Sequence, residues 1–204
     1  MAATKAILFD LGGVLIDFAG LREIEALLDP RPTPVEVRQR WIASEAIRSF
    51  ERGELSPAAF SECFLAEWGL AFEADAFLAL FRSWNRGPLE GAHDLLNRLR
   101  PHFTLACLSN TNEIHWEDLL DGYGLRAALD QHYASHLLRM IKPDPQIYTS
   151  VADRLNCAAA EIVFFDDGAE NVAGALATGM RAYRVEGVAD VRAKLIELGL
   201  LAAT

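Results

Sequence analysis

Residues 5–17 read KAILFDLGGVLID, and this stretch joins a short apolar run to an acidic residue and a glycine pair. Residues 6–9 are apolar, which is typical of a strand buried in a parallel sheet. Asp10 ends the run, and Gly12 and Gly13 follow with the conformational freedom that a tight turn uses. Because α/β folds bind ligands at the carboxyl ends of their strands, Asp10 is the first candidate site residue.

Three further apolar runs of similar length occur along the chain, and helical patterns separate them. The predicted strands are Ala6–Phe9, Thr104–Leu108, Ile162–Phe165 and Ala182–Val185. The helices predicted after residue 87 are Leu89–Leu99, Glu113–Leu120, Gln146–Leu155, Asn171–Thr178 and Val191–Leu198. This alternation predicts the α/β class, with a doubly wound parallel sheet.

Residues 19–86 break the alternation, and no strand is predicted within them. Residues 33–36, TPVE, combine a capping box with a proline at the first helical position. A second helix is predicted to begin at Ser56-Pro57 and to end at Gly69, and residues 77–84 carry apolar side chains at helical spacing.

The helical segment predicts two domains. Residues 1–17 and 87–204 would form the α/β core domain, and residues 18–86 would form an inserted helical cap domain. An insert that leaves from the first strand would lie over the edge of the sheet where ligands bind, as a lid does. A passive helical decoration is the alternative.

The composition excludes several classes of partner. The 204 residues carry a net charge of -10, which argues against nucleic acid and against an anionic membrane surface as partners.

Three widely separated cysteines suggest reduced thiols. No apolar stretch approaches the ~20 residues that span a bilayer, and the N-terminal MAATKAILFD reaches an acidic residue too early for a signal peptide. We therefore expect a soluble, cytoplasmic protein.

Two adjacent carboxylates, Asp166 and Asp167, follow the strand predicted at residues 162–165. They repel each other at the end of a buried strand, and a cation would offset that repulsion. Ligation by oxygen alone, with few protein groups, suits Mg²⁺. Capping of the next helix by either aspartate is the alternative.

Ser109-Asn110 and Lys142 are two further candidate segments, and Ser109 and Asn110 follow the strand predicted at residues 104–108. A hydroxyl and backbone N–H groups at the start of a helix can bind phosphate, although a simple helix cap has the same sequence. Lys142 precedes Pro143, which favours an extended backbone, and its charge would neutralise phosphate unless it is a solvated surface lysine. The next helix is predicted to begin at Asp144-Pro145.

Motifs of other enzyme classes are missing from the sequence. It contains neither the P-loop nor the dinucleotide-binding glycine pattern, and it has no H-E-x-x-H or G-x-S-x-G motif. His132 and His136 lie four residues apart without other candidate ligands, so we interpret the histidines as structural.

Four segments in order resemble the motifs of the haloacid dehalogenase-like (HAD) hydrolase superfamily: FDLGGVLID, LSNTN, RMIKPDPQIY and VFFDDGAENVAGA. The resemblance covers nearly the whole chain, and it implies a Rossmann-like HAD core with an inserted helical cap. FDLGGVL, together with ERGELS in the insert, is similar to sugar phosphatases of the glucose-1-phosphatase type and to the phosphatase domain of bifunctional epoxide hydrolases. The implied activity is a magnesium-dependent phosphatase that hydrolyses a small phosphorylated metabolite, such as a sugar phosphate, through an aspartyl-phosphate.

The resemblance also implies a role for each matching residue. Asp10 would be the nucleophile, and Mg²⁺ would be held by Asp10, the Gly12 carbonyl and Asp167, with Asp166 acting mainly through water. The phosphoryl oxygens and their charge would be bound by Ser109, by the N–H of Asn110 and by Lys142.

Gly12 departs from the superfamily pattern, because most of its phosphatases carry an aspartate there that protonates the leaving group. Loss of a general acid/base typically costs ~10²–10⁴ in rate, whereas the carbonyl ligand survives the change. We expect metal binding to persist, with weaker turnover or with another acid, for which Asp17 is one suggestion. A substrate with a good leaving group, such as an anomeric sugar phosphate, would need that acid less.

Two other functions stay open at this point, a metal-independent 2-haloacid dehalogenase and a non-catalytic HAD-like protein that binds a phospho-ligand. The substrate, the turnover rate and the oligomeric state, a homodimer included, are not determined by the sequence. Candidate substrate-binding residues of the cap are Trp41, Glu45, Arg48, Arg52, Trp84 and Arg86.

Overall fold

The computed structural model describes residues 2–203. The strands are Ala6–Phe9 (β1), Ile16–Phe18 (β2), Asn85–Pro88 (β3), Thr104–Ser109 (β4), Gln131–Ala134 (β5), Ile162–Asp166 (β6) and Arg181–Arg184 (β7). The helices of the first half are Gly20–Leu27 (α1), Pro34–Ala43 (α2), Glu45–Glu51 (α3), Pro57–Trp68 (α4), Ala74–Arg82 (α5) and Ala92–Leu99 (α6). Those of the second half are Glu113–Glu117 (α7), Leu125–Ala128 (α8), Ser135–Leu138 (α9), Pro145–Arg154 (α10), Ala169–Ala177 (α11) and Gly187–Glu197 (α12).

Five parallel strands form the main sheet in the order β5-β4-β1-β6-β7, with β1 at its centre. Side chains of β1 alternate between two apolar clusters, so that Ile7 and Phe9 join one and Ala6 and Leu8 join the other. Helices α6 and α12 cover the first face, and α10 and α11 cover the second. The predicted doubly wound α/β fold is therefore confirmed, and Asp10 lies at the carboxyl end of the central strand.

All four predicted strands are present, with ends within one residue of the prediction. The five helices predicted after residue 87 are α6, α7, α10, α11 and α12, with ends displaced by up to four residues. The edge strand β5, QHYA, was not predicted, because its first half is polar and only Tyr133 and Ala134 are buried.

Helices α1 to α5, which we call the helical insert, are held together by an aromatic cluster. The rings of Phe50 and Phe60 stack at a centroid distance of 4.1 Å, and Trp84 is fully buried beside them. The predicted capping box is confirmed, since Thr33 N donates to Glu36 Oε2 at 2.8 Å and Glu36 N donates to Thr33 Oγ1 at 3.3 Å. The helix predicted between Ser56 and Gly69 is α4.

A two-stranded antiparallel ribbon, β2 with β3, connects the helical insert to the sheet. The prediction that residues 19–86 contain no strand is wrong at its last positions, because β3 begins at Asn85. Its sequence, NRGP, has the composition of a turn and gives no strand signal. Within residues 2–203, no helix is long and apolar enough to cross a membrane.

Candidate active site

A cavity of about 250 Å³ lies between the carboxyl edge of the main sheet and the helical insert. Six of the seven predicted site residues line it. They are Asp10, Gly12, Ser109, Asn110, Lys142 and Asp167. The seventh, Asp166, is fully buried and lies behind Lys142.

Lys142 joins two buried carboxylates. Its Nζ lies 2.9 Å from Asp10 Oδ1 and 2.6 Å from Asp166 Oδ2, and the residue is only 2% exposed. Burial disfavours its charge, but Asp10 and Asp166 outweigh burial and hold the pKa of Lys142 above its ordinary value. The alternative of a solvated surface lysine is therefore wrong, and a fixed positive charge lies beside Asp10.

Asp166 has a full set of hydrogen bonds. Its Oδ1 accepts from Gly168 N at 2.8 Å and from Asn171 Nδ2 at 2.9 Å, while Oδ2 accepts from Lys142. These contacts fix the turn between β6 and α11 and orient the lysine ammonium. Asp166 is thus placed to support the groups that face the cavity.

Asn110 fixes the main chain of Lys142 from the other side. Its Nδ2 donates to Lys142 O at 3.0 Å, and its Oδ1 accepts from Lys142 N at 2.8 Å. Ser109 and Asn110 were expected at the start of a helix, but α7 begins later, capped by Asn112, whose Oδ1 accepts from Ile114 N at 3.1 Å. Backbone groups near Ser109 therefore reach the cavity from a loop rather than from a helix N-terminus.

Three carboxylates converge near the end of β1, and their geometry fits a hard cation. One oxygen atom each from Asp10, Asp166 and Asp167 lies within 4.8 Å of the other two. Burial raises the pKa of Asp10, and although Lys142 opposes it, Asp166 and Asp167 add to the rise. Burial and the charge of Asp166 likewise raise the pKa of Asp167. The clustered oxygen donors and their mutual repulsion match the preferences of Mg²⁺.

Gly12 and Gly13 form the turn after β1. Gly13 has a φ of +73°, and a Cβ there would lie 3.2 Å from the carboxylate of Asp167, so the position favours glycine. A Cβ on Gly12 would meet Phe18 Cβ at 3.4 Å, an ordinary contact. Asp17, suggested as a substitute acid, pairs with Arg22 at 2.8 Å and is absent from the cavity lining.

The helical insert contributes two charged residues that the sequence did not single out. Arg38 of α2 lies 3.5 Å from Asp167 and 3.6 Å from Glu170. Glu51, the last residue of α3, also lines the cavity. Glu51 lies three residues after Arg48, which lines the same cavity, so both side chains lie on one face of α3. This spacing is the feature of the sequence that could have identified Glu51.

The candidate cap residues named from the sequence fall into three groups. Trp41 and Arg48 line the cavity, whereas Trp84 belongs to the aromatic cluster. The others form ion pairs elsewhere, Arg52 with Glu45 at 2.9 Å and Arg86 with Glu23.

The chain is similar to known phosphatases in sequence and to a HAD family enzyme in structure. The chain is 27% identical over 202 residues to a D-ribitol-5-phosphate phosphatase of Bacteroides thetaiotaomicron, covering 94% of this chain and 96% of the relative. It is 28% identical over 191 residues to the sesquiterpene phosphatase astK of Aspergillus oryzae, covering 86% and 87%. A HAD family enzyme of B. thetaiotaomicron, solved as a magnesium complex, superposes with a TM-score of 0.74 at 24% identity, covering 91% and 94%.

The assignment to a family follows from a match along most of the chain. A sequence model of haloacid dehalogenase-like hydrolases matches residues 4–179, which include all four motif segments and the helical insert. The chain therefore belongs to the haloacid dehalogenase-like hydrolase family.

Proposed function

We propose that this hydrolase is a phosphatase that uses Mg²⁺ and cleaves a small phosphorylated metabolite through Asp10. The observation that carries the proposal is the convergence of Asp10, Lys142 and Asp167 on one cavity. A nucleophilic carboxylate, a fixed cation and a candidate metal ligand are the groups that phosphoryl transfer requires, because its catalysis depends on positioning and charge neutralisation.

The two oxygens of Asp10 have different surroundings. Oδ1 accepts from Leu11 N at 2.7 Å and lies 2.9 Å from Lys142 Nζ. Within residues 2–203, no hydrogen bond is made to Oδ2, so this oxygen is available to attack phosphorus. Attack would form an aspartyl-phosphate on Asp10, and water would then release phosphate.

The other site residues would bind and neutralise the phosphoryl group. Asp10, Asp167 and the Gly12 carbonyl would hold Mg²⁺, with Asp166 acting through water. When bound, Mg²⁺ supplies positive charge that offsets the charges of the phosphate and the carboxylates. Ser109 and the N–H of Asn110 would contact phosphoryl oxygens, and Lys142 would add its charge.

The shape of the cavity supports a small metabolite as the substrate, and a sugar phosphate is one such class. Its volume of about 250 Å³ suits a compact ligand, and the phosphate-binding groups lie at the sheet edge. Opposite them lie Trp41, Ile47 and Phe81 of the helical insert, which would contact the rest of the ligand. We propose that residues 18–86 act as a cap domain over a core domain of residues 1–17 and 87–204.

The thiols and the carboxylates bear on the cellular compartment and on the two alternative functions. Cys63, Cys107 and Cys157 are all free thiols, which supports a reducing compartment such as the cytoplasm. The clustered carboxylates disfavour a metal-independent dehalogenase, because they would repel a haloacid carboxylate. The presence of Asp10 with a free oxygen disfavours a purely ligand-binding protein.

A phosphate-release screen tests the proposal. Purified protein would be assayed with a broad panel of phosphorylated metabolites, with and without Mg²⁺. We expect release that requires Mg²⁺, and we expect Asp10→Asn to reduce it to the uncatalysed background. Asp17→Asn is the matched control, because Asp17 pairs with Arg22 outside the cavity and should leave turnover unchanged. The proposal fails if the wild type releases no phosphate from the panel or if Asp10→Asn retains activity.

A further inference from the structure

We propose that Glu51 is the general acid and base of this active site and performs the proton transfers for which Gly12 has no side chain. The inference rests on the proposed phosphatase function and identifies a catalytic residue on the helical insert. Glu51 lines the same cavity as Asp10 and Lys142, although it is distant from both in sequence.

The chain that follows α3 packs against α9, outside the helical insert, so Glu51 is held in place relative to Asp10. Gly53, two residues after Glu51, has a φ of +68° and approaches α9 so closely that a Cβ there would lie 2.6 Å from His136 O. Arg139 donates a hydrogen bond to Gly53 O. On the other side of Glu51, buried Phe50 stacks on Phe60. A side chain between two such anchors is positioned for chemistry rather than left mobile.

The carboxylate of Glu51 is free for that role. Within residues 2–203 it makes no hydrogen bond or ion pair, whereas its neighbours Glu45 and Glu54 both pair with Arg52 at 2.9 Å. Burial raises the pKa of Glu51 to about 7; the charge of Lys142 lowers it, that of Asp10 raises it, and that of Arg48 lowers it. A group that titrates near neutral pH can both give and accept a proton, as a general acid/base must.

The other titratable groups that line the cavity are already occupied. Arg38 lies 3.6 Å from Glu170, Arg48 lies 4.0 Å from Glu45, and Asp167 belongs to the proposed metal site. The Nε2–H of His115 donates to Phe81 O at 2.7 Å, and burial lowers the pKa of this histidine to about 4, so it is neutral. Glu51 is therefore the carboxyl group of this cavity that is free to exchange a proton with substrate.

The proton transfers balance over the two steps. In the first step, a bond forms between Asp10 Oδ2 and phosphorus, the bond from phosphorus to the ester oxygen breaks, and the Glu51 proton passes to that oxygen, releasing an alcohol. In the second step, Glu51 takes a proton from water as the water oxygen attacks phosphorus. The Asp10–phosphorus bond then breaks, phosphate leaves, and Glu51 is protonated again.

A comparison of esters with different leaving groups tests this assignment. Glu51→Gln would be assayed on p-nitrophenyl phosphate, whose leaving group needs no acid, and on the alkyl phosphate that the wild type hydrolyses fastest. We expect kcat/KM on the alkyl ester to fall by about 10² or more, and kcat/KM on the aryl ester to fall far less, because kcat/KM reports the first step, in which the leaving group departs. Loss of the base slows the second step for both esters, so kcat on the aryl ester should fall as well. The wild-type kcat/KM for the alkyl ester should decline above pH about 7, and this decline should vanish in Glu51→Gln. Glu54→Gln is the matched control and should keep wild-type values on both esters.

Several outcomes would overturn the assignment. Equal losses of kcat/KM on both esters would mean that Glu51 only positions other groups, and a rise in KM with unchanged kcat would mean that it only binds substrate. Glu51→Asp keeps the acid and should retain more alkyl-ester activity than Glu51→Gln if both fold, as unfolding curves would establish. A wild type inactive on every ester would instead contradict the proposed phosphatase, so the two failures are distinguishable.

Discussion

The ammonium nitrogen of Lys142 lies 2.9 Å from Oδ1 of Asp10, in a part of the core where both residues are almost inaccessible to water. The same nitrogen reaches Asp166, so one buried positive charge balances two buried negative charges. Charged groups so far from solvent depend on each other, because removal of one leaves the others uncompensated. The lysine therefore contributes to the stability of the molecule as well as to the proposed site.

Lys142→Met should destabilise the metal-free protein by about 3–5 kcal/mol, because two buried carboxylates lose their counter-charge. Urea unfolding at neutral pH without Mg²⁺ measures the change. The double variant Lys142→Met/Asp166→Asn should recover part of the loss. Lys5→Met is the control, since Lys5 pairs with Glu161 at the surface and its loss should matter little. An unchanged unfolding curve for Lys142→Met would show that the buried charges are not coupled.

The sheet was predictable where burial is two-sided. Strands β1 and β6 are buried at every position, so AILF and the first four residues of IVFFD are apolar. Strands β3 and β5 have polar or turn-forming sequences, NRGP and QHYA, because only part of each is buried. Their strand conformation comes from pairing with a neighbouring strand, which a local pattern does not record.

The lining of the candidate site was predictable only on the side formed by the main sheet. Asp10, Lys142 and Asp167 follow strands or loops at one edge, and parallel topology brings such positions together. Arg38 and Glu51 reach the cavity because of how α2 and α3 pack over that edge. Helical spacing shows which residues share a face of a helix, but not which face meets the sheet.

Arg38→Met should tighten Mg²⁺ binding in the absence of substrate by about two- to fivefold, as expected for loss of a partly exposed ion pair. Arg38 lies 3.5 Å from Asp167, so it competes with a cation for that carboxylate. Calorimetric titration with Mg²⁺ measures the affinity. Arg40→Met is the control from the same helix, because Arg40 donates to Glu67 O at 2.7 Å and does not line the cavity. Weaker Mg²⁺ binding in Arg38→Met would contradict the competition.

Gly12→Asp should restore a second route for protonation of the leaving group. The new Cβ makes only an ordinary contact of 3.4 Å with Phe18, so the backbone accepts the change. In the Glu51→Gln background we expect alkyl-phosphate turnover to rise about tenfold or more, part of the range for a general acid. Gly13→Asp should lower turnover instead, because its φ of +73° and its 3.2 Å approach to Asp167 oppose a side chain. No gain from Gly12→Asp would mean that this position does not face the leaving group.

His115 should make the protein less stable as the pH falls from about 6.5 to about 4. It is 4% exposed and its pKa is lowered to about 4 by burial, whereas an unfolded histidine has a pKa of about 6.5. Above pH 6.5 both states are neutral and there is no penalty. Between the two values the unfolded state binds more protons, so the free energy of unfolding declines on acidification by an amount on the order of 3 kcal/mol.

His115→Phe isolates this effect from the other titrating groups. At pH 8 the variant should be less stable by about 1–3 kcal/mol, because Phe81 O loses its donor. Between pH 7 and pH 4 it should lose less stability than the wild type, since phenylalanine takes up no proton. Asp10 and Glu51, whose raised pKa values act in the opposite direction, contribute equally to both proteins and cancel in the comparison. His102→Gln, at an exposed site, should keep the wild-type pH dependence, and parallel curves for wild type and His115→Phe would refute the assignment.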